Sequence, residues 1–198
     1  MPGNYEIIQS QLPLVGGLGG HNLIVVKDPG GRVISEFNGL ATSSDGVIKP
    51  IGYLSSDKLK VFEFTNANYY DSSQNQYTVY STSSFSEISS RLNAMKQTMN
   101  QMNSLDMSYP FLGLGKNSNS VSSTLLASIG ATESKVPNSA WVMPGVGDML
   151  LPQSFIDSVR TSNGINTSFN SYFDTGTMFD NYWSTPSYGD AVGNFNMN

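Results

Sequence analysis

The sequence predicts an α+β fold in which an antiparallel sheet of four to five strands packs against two or more helices. Three observations support this prediction: a clear hairpin signal, further strand-like segments up to Thr82, and a change to helical spacing from Ser84 onward. A chain of 198 residues is long enough to bury a sizeable core, and one domain is the default expectation.

The hairpin is the most secure element of the sequence. After a Gly-rich approach from Leu12 to Gly20, the segment His21–Lys27 is rich in branched aliphatic residues, as strands are. Asp28-Pro29-Gly30-Gly31 is a typical chain reversal, and Arg32–Gly39 is the expected returning strand.

Three further segments complete the predicted sheet. Val47–Leu54 is apolar but contains Pro50, so it is expected to be an edge strand or an extended loop. Lys58–Phe64 alternates polar and apolar residues, as a half-buried strand does, and Tyr77–Thr82 is a further candidate. The sheet is therefore expected to be antiparallel.

A long helix is predicted from Ser84 to about Ser104. Ser84 followed by Glu87 fits a capping box at its start. The apolar residues recur at spacings of three and four on one face, and they are Ile88, Leu92, Met95, Met99 and Met102. Core packing is the favoured interpretation of this methionine-rich stripe, and a flexible binding surface is the alternative.

A second helix is predicted after the polar segment Asn117-Ser118-Asn119-Ser120. Val121, Leu125, Leu126 and Ile129 share one face, and Gly130 is a plausible stop. The segment Ala140–Pro152 is expected to form a folded loop or a short strand. We assign residues 1–155 to the domain and residues 156–198 to an extension rich in aromatic, Asn and Ser residues. This extension is expected to wrap the domain or to contact a partner.

Composition excludes several classes of function. The formal net charge is -5, and the ten basic residues are scattered, so the chain is not expected to bind nucleic acid or anionic membranes. It has no cysteine, which excludes disulfides and thiolate chemistry. Without a signal peptide or a transmembrane segment, we expect a soluble protein, either exported by a signal-peptide-independent route or cytoplasmic.

His21 is the only histidine and the first candidate for chemistry. If the turn sets the hairpin register, His21 lies across from about Asn38, with Glu36 one alternate position along. Either side chain could accept the imidazole N–H and orient the ring, so both remain candidates. A lone histidine is more often structural, which is the competing interpretation.

The nucleophile must be a hydroxyl, and position selects among many. Ser118 and Ser120 precede the second helix, where free N–H groups can stabilise a developing alkoxide and form an oxyanion hole. Asn117 and Asn119 are candidates for positioning or oxyanion roles. Alternatively, one of these four residues is simply the N-cap of the helix.

The order of these motifs resembles the circularly permuted branch of the NlpC/P60 papain-like hydrolases, which includes lecithin retinol acyltransferase-like and PPPDE-type proteins. The resemblance covers roughly residues 18–40 and 109–131. It consists of Gly20-His21-Asn22-Leu23 on a strand and Asn117-Ser118-Asn119 before a helix. Ser118 stands where these relatives commonly carry cysteine.

The resemblance implies a papain-like fold and a hydrolase or acyltransferase that cleaves an amide or ester bond through a serine acyl-enzyme. Peptide, peptidoglycan or lipid acyl groups would be its substrates. The protein could be a bacterial secreted effector or toxin, with an immunity or delivery protein as partner. The alternatives are a non-catalytic papain-like binding module and a cysteine hydrolase inactivated by a cysteine-to-serine change.

Other kinds of site fit the sequence less well. The glycines of residues 16–20 precede a strand instead of following one, unlike a dinucleotide-binding loop. The acidic residues are dispersed, so neither a glycosidase pair nor a metal site can be identified. We therefore expect no cofactor and no metal.

Overall fold

Six strands and three helices follow one another in the computed structural model, which describes residues 3–14, 19–49, 51–133, 136 and 143–165. The strands are β1 (Tyr5–Leu14), β2 (Gly19–Lys27), β3 (Val33–Thr42), β4 (Ile48–Lys49), β5 (Lys58–Phe64) and β6 (Asn75–Thr82). The helices are α1 (Phe85–Ser104), α2 (Ser118–Ser128) and α3 (Gln153–Ser162), with a short 3-10 helix at Phe111–Gly113.

The strands form one antiparallel sheet in the order β4-β3-β2-β1-β6, with β5 also paired to β3. The α+β class is confirmed, but the sheet has six strands instead of four to five. The additional strand is β1, which lies between β2 and β6. Its buried residues include Gln9, Ser10 and Gln11, so polar side chains interrupt the apolar pattern that identifies a strand from sequence.

The predicted hairpin is confirmed as β2 and β3, but its register differs from the prediction. The carboxylate of Asp28 accepts hydrogen bonds from the N–H groups of Gly30 and Arg32 in the turn, each at 2.9 Å. The ladder pairs Ile24 with Phe37 and shifts by one residue at the Lys27 end. If this pairing continued toward the start of β2, His21 would not lie opposite Asn38.

One edge of β3 contains a gap in its pairing. Because β5 occupies one edge along Glu36–Thr42, β2 and β4 must share the other. The pairing with β2 reaches Phe37 and the pairing with β4 starts at Ala41. The intervening residues 38–40 therefore have no strand partner on that edge, and the start of α2 lies beside them.

The long helix α1 is confirmed, with Ser84 as its N-cap. The predicted capping box forms only in part. The Ser84 hydroxyl accepts from the N–H of Glu87 at 3.3 Å, but the Ser84 N–H donates to the Thr82 hydroxyl. The Glu87 carboxylate instead accepts from the hydroxyls of Tyr80 and Thr82, which fastens the helix to β6.

The apolar residues of the helices face the sheet, as predicted. In α1, Ile88, Met95 and Met102 are fully buried, so the methionine stripe is core. The apolar face of α2 is buried too, and Gly130 follows it at φ 71° in the left-handed region. A smaller apolar cluster lies on the opposite face of the sheet, and its buried members are Ile8, Leu23 and Val25.

The third helix, α3, was not predicted, and the predicted domain boundary at residue 155 falls inside it. Its Ile156 and Val159 are buried in the main core, and the N–H of the Arg160 guanidinium donates to the carbonyl of Ala127. The compact unit accordingly extends from Met1 to Thr167. The extension, predicted to wrap the domain or contact a partner, lies from residue 166 outside the described residues.

The segment after α2 forms turns where it is described. Residues 143–148 contain hydrogen bonds from Val146 to Met143 and from Asp148 to Gly145, and no strand forms in this described part. Trp141 of the predicted segment Ala140–Pro152 lies outside the described residues. Within the described ranges, no helix combines the length and apolar character needed to cross a membrane.

Candidate active site

His21 is almost completely buried, at 1% exposure, on β2. Its Nε2 lies 2.9 Å from Oδ1 of Asn38 on β3. Although the strand register does not place these residues opposite each other, the ring spans the space between the separating strands. The structure thus joins the histidine to one of its two predicted orienting residues.

Glu36, the other predicted orienting residue, contacts Asn38 and not the ring. Nδ2 of Asn38 donates to Oε1 of Glu36 at 2.6 Å. The carboxylate also accepts from the main-chain N–H groups of Asn68, Tyr69 and Tyr70 at 2.8 to 3.2 Å. His21, Asn38 and Glu36 therefore form a chain of hydrogen bonds.

The direction of this chain determines which nitrogen of His21 carries the proton in the neutral ring. Because Nδ2 of Asn38 donates to Glu36, Oδ1 is the atom that faces His21, and it can only accept. Nε2 therefore carries the hydrogen. Nδ1 is left with a lone pair, and within the described residues this buried atom has no hydrogen-bond partner.

Burial lowers the pKa of His21 below its ordinary value of 6.5. The hydrogen bond that the ring donates to Asn38 and the negative charge of Glu36 raise this pKa, but burial is the larger effect. The imidazole is consequently neutral at physiological pH. This is the protonation state required of a general base.

The start of α2 is shaped by caps made from Asn117 and Ser120. Asn117 is the N-cap, and its side chain accepts from the N–H of Asn119 at 2.7 Å. The Ser120 hydroxyl accepts from the Asn117 N–H and donates to the carbonyl of Gly145 at 2.9 Å. The cap interpretation therefore applies to Asn117, and Ser120 is fully engaged in holding the helix start.

Asn119 fastens this helix start to the strand that carries His21. Its Oδ1 accepts from the N–H of Asn22 at 2.8 Å, and its Nδ2 donates to the carbonyls of Gly20 and Pro144. Asn22 and Gly20 flank His21 in the chain. Asn119 therefore links α2 to β2, and its role in a reaction stays a prediction.

Ser118 is the first residue of α2, so it lies within the helix and not before it as predicted. It packs directly on β3: a Cβ built at Gly39 would lie 3.0 Å from Cα of Ser118 and 2.7 Å from Cγ2 of Val121. Glycine is therefore what allows the helix to approach the strand. Ser118 is 4% exposed.

Ser118 interacts with a residue that was not predicted from the sequence. Both its side chain and its main chain interact with the hydroxyl of Tyr109, which is 5% exposed. Burial raises the pKa of Tyr109, and these hydrogen bonds lower it by a smaller amount. Tyr109 lies between the two predicted helices, eight residues before Asn117, and its residue type gives no signal of a role there, so only the fold shows its contact with Ser118.

No hydrogen bond joins Ser118 to His21 in the described part of the chain. Side chains of successive strand residues leave opposite faces of a sheet. Gly39 faces α2, so Asn38 points to the other face, where Glu36 meets residues 68–70. Ser118 and the His21–Asn38 pair therefore lie on opposite faces of β3, and the structure does not bring the two predicted reacting side chains into contact.

No metal site is found near this arrangement. Within the described ranges, no three His, Asp or Glu side chains converge in a way that could hold a metal ion. The residues at the start of α2 and Tyr109 are instead neutral hydrogen-bonding groups, each at most 5% exposed.

Comparisons with known proteins add no relative: no family model, no curated protein and no solved structure matches this chain.

Proposed function

We propose that this protein is a hydrolase or acyltransferase that cleaves an amide or ester bond through an acyl-enzyme on Ser118. The observation that carries the proposal is the neutral, buried His21, whose Nδ1 lone pair is unpaired while Nε2 is held by Asn38. His21 and Asn38 would supply two members of a catalytic triad, the base and the residue that orients it, and the nucleophile is the third. Ser118 would complete this triad, and the reaction requires its hydroxyl to reach Nδ1 past residues 38–40, where β3 is not paired with β2.

In the proposed reaction, the Ser118 hydroxyl turns from Tyr109 to His21 and gives its proton to Nδ1 as it attacks the substrate carbonyl. The resulting imidazolium returns that proton to the leaving amine or alcohol, and the acyl group remains on Ser118. Water, or an acceptor alcohol in an acyltransferase, then repeats the proton transfers and releases the acyl group. Asn38 keeps the ring oriented throughout.

The oxyanion of this reaction would be stabilised by two groups that interact with each other in the resting state, the N–H of Ser118 and the hydroxyl of Tyr109. The N–H of Ser118 is at the positive end of α2, and it is freed when Tyr109 is displaced. The Tyr109 hydroxyl can then donate to the same oxygen. Removal of one oxyanion-hole donor typically lowers kcat by about 10²–10³-fold.

The substrate we propose is an acyl group of a peptide, peptidoglycan or lipid, and the setting is that of a bacterial effector or toxin with an immunity or delivery protein as partner. These proposals rest on the resemblance of the His21 and Asn117-Ser118-Asn119 segments to the permuted NlpC/P60 hydrolases. A papain-like arrangement of the fold belongs to the same proposal.

A second candidate is a non-catalytic module of the same fold. It is favoured by the near-complete burial of both His21 and Ser118 and by the missing hydrogen bond between them. In that case the His21 chain of hydrogen bonds serves only to hold β2, β3 and residues 68–70 together.

Labelling with a fluorophosphonate, which reacts with activated serine hydroxyls, separates the two candidates. The wild type should be labelled, Ser118→Ala should not be, and His21→Gln should react at least about 10³-fold more slowly because the base is lost. Ser120→Ala is the matched control, since it removes a neighbouring hydroxyl that is engaged with Gly145. Equal labelling of the wild type and Ser118→Ala would exclude the hydrolase.

The third possibility, a cysteine hydrolase carrying serine, is tested with Ser118→Cys. A thiol beside a neutral histidine ionises far more readily than a hydroxyl. If cysteine is the residue the site requires, Ser118→Cys should gain hydrolysis of peptide, peptidoglycan or phospholipid substrates that the wild type lacks. His21→Gln in the same background should abolish that gain.

A further inference from the structure

Glu36 is a buried carboxylate without a basic partner among the described residues. It is 0% exposed, and no described Lys or Arg forms an ion pair with it. Its oxygens accept hydrogen bonds from four N–H donors, three of them in the main chain and one in Asn38. An unpaired charge is costly to bury, so this position calls for a specific reason.

The three main-chain donors fix where the carboxylate lies. Residues 68, 69 and 70 present successive N–H groups to it, in the manner of an anion-binding nest. The carboxylate in turn can only accept, so it admits just one orientation of the Asn38 amide. Nδ2 must face Glu36 and Oδ1 must face His21.

We propose that Glu36 is a positioning residue that sets the tautomer of His21 through the Asn38 amide. Without the carboxylate, Asn38 could rotate by half a turn and offer Nδ2 to the ring. Nε2 would then have to accept, the hydrogen would move to Nδ1, and the lone pair on Nδ1 would be lost. The main-chain N–H groups of residues 68–70 thereby help to decide whether Nδ1 of His21 carries the hydrogen, although they do not contact the ring.

The significance of this inference for catalysis rests on the proposed function, but the tautomer itself does not. A protein without hydrolytic activity would still show it. The chain offers an unusually clean measurement, because its single histidine gives one set of imidazole signals without any need for assignment.

The experiment is long-range 1H–15N NMR of the full chain with 15N-labelled histidine, at a pH where the ring is neutral. The wild type should show the Nε2–H tautomer alone. In Glu36→Gln, whose amide can both donate to and accept from Asn38, the single-tautomer pattern should give way to a mixture or to Nδ1–H. Glu63→Gln is the control, since this carboxylate on β5 binds Ser35 and Lys96 instead.

Two results would overturn the proposal. One is an Nδ1–H tautomer in the wild type, which needs no variant and therefore holds even if Glu36→Gln does not fold. The other is an unchanged Nε2–H pattern in folded Glu36→Gln. Fluorophosphonate labelling of the same wild-type sample reports on the proposed function separately, so failure of one does not imply failure of the other.

Discussion

At the scale of single residues, the site depends on which atoms are left without partners. Nδ1 of His21 is unpaired, while the hydroxyls and amides around it are engaged: Ser118 with Tyr109, Ser120 with Gly145 and Asn119 with β2. Of the predicted candidates, His21 is therefore the one with an unpaired ring nitrogen. The hydroxyls and amides around it hold the start of α2 in place.

Burial of neutral His21 predicts how stability depends on pH. The folded protein has a His21 pKa below 6.5, so the unfolded chain binds more protons between these two values. The contribution to the free energy of unfolding is fully present above pH 6.5 and is lost as the pH falls toward the folded pKa. Urea unfolding across this range should show a decrease in the wild type.

His21→Gln is the matched variant for this measurement, because its side-chain amide can still donate to Asn38. It should lose the decrease that begins below pH 6.5. Glu133, whose pKa is raised by burial, contributes in the opposite direction around its ordinary value of 4.5, but it is present in both proteins. Identical pH profiles for the two proteins would contradict the burial of a neutral imidazole.

Sequence could identify His21, Asn38 and Glu36 as neighbours, but not their order of contact. The turn signal Asp28-Pro29-Gly30-Gly31 brings the two strands together, whereas the shift in pairing near Lys27 is set by backbone geometry that leaves no residue signature. The contact of Tyr109 with Ser118 depends on how residues 105–117 cross the sheet edge. Such non-local contacts have no periodicity to be detected.

At the scale of elements, the first turn of α2 acts as a substitute for strand pairing. Where β2 and β3 separate, the side chain of Asn119 takes the main-chain bonds that a neighbouring strand would otherwise make with Gly20 and Asn22. A buried amide thus satisfies one donor and one acceptor at the edge of β2. The helix start and the sheet are consequently parts of one structure.

Asn119→Ala should destabilise the protein by about 1–3 kcal/mol, because it leaves the buried N–H of Asn22 and the carbonyl of Gly20 unsatisfied. Urea unfolding measures the loss, and hydrogen exchange should show that the Asn22 amide loses protection. Asn163→Ala is the control, since it removes an amide that bonds only within the end of α3. Unchanged hydrogen exchange of the Asn22 amide would contradict the link that Asn119 makes between α2 and β2.

Elements with a regular apolar period could be predicted from sequence, and those without one could not. The alternation in Lys58–Phe64 gives β5 with the predicted bounds, and the stripe from Ile88 to Met102 gives α1. In β1, by contrast, Ile7 and Ile8 are adjacent and serve opposite faces of the sheet. The short helix α3 buries Arg160 beside Val159, which obscures its apolar face.

At the scale of the whole molecule, the strand that sequence missed is the one that joins the sheet together. β1 pairs with β2 along nine residues and with β6 on its other side. Its Ile7 belongs to the main core and its Ile8 to the smaller cluster on the opposite face. No other described strand contributes to both faces while linking the hairpin to β6.

Deletion of residues 1–14 should therefore prevent folding, although the candidate site residues all lie later in the chain. Loss of β1 would expose both faces of the sheet interior and leave two unpaired strand edges. Far-UV circular dichroism and the absence of a cooperative urea transition would report this. A chain lacking only Met1 and Pro2 should unfold as the wild type does. A cooperative transition in the longer deletion would show that β1 is dispensable.

The start of α2 has one further consequence. Its first turn contains no acidic residue, whereas α1 begins with Glu87 near its N-terminus. A carboxylate there would typically stabilise the helix by about 0.3–1 kcal/mol, so the chain forgoes an accessible gain in stability. The positive end of α2 is instead surrounded by uncharged amides and hydroxyls. The start of α2, where residues 117–120 are at most 4% exposed, is thus held by hydrogen bonds between neutral groups.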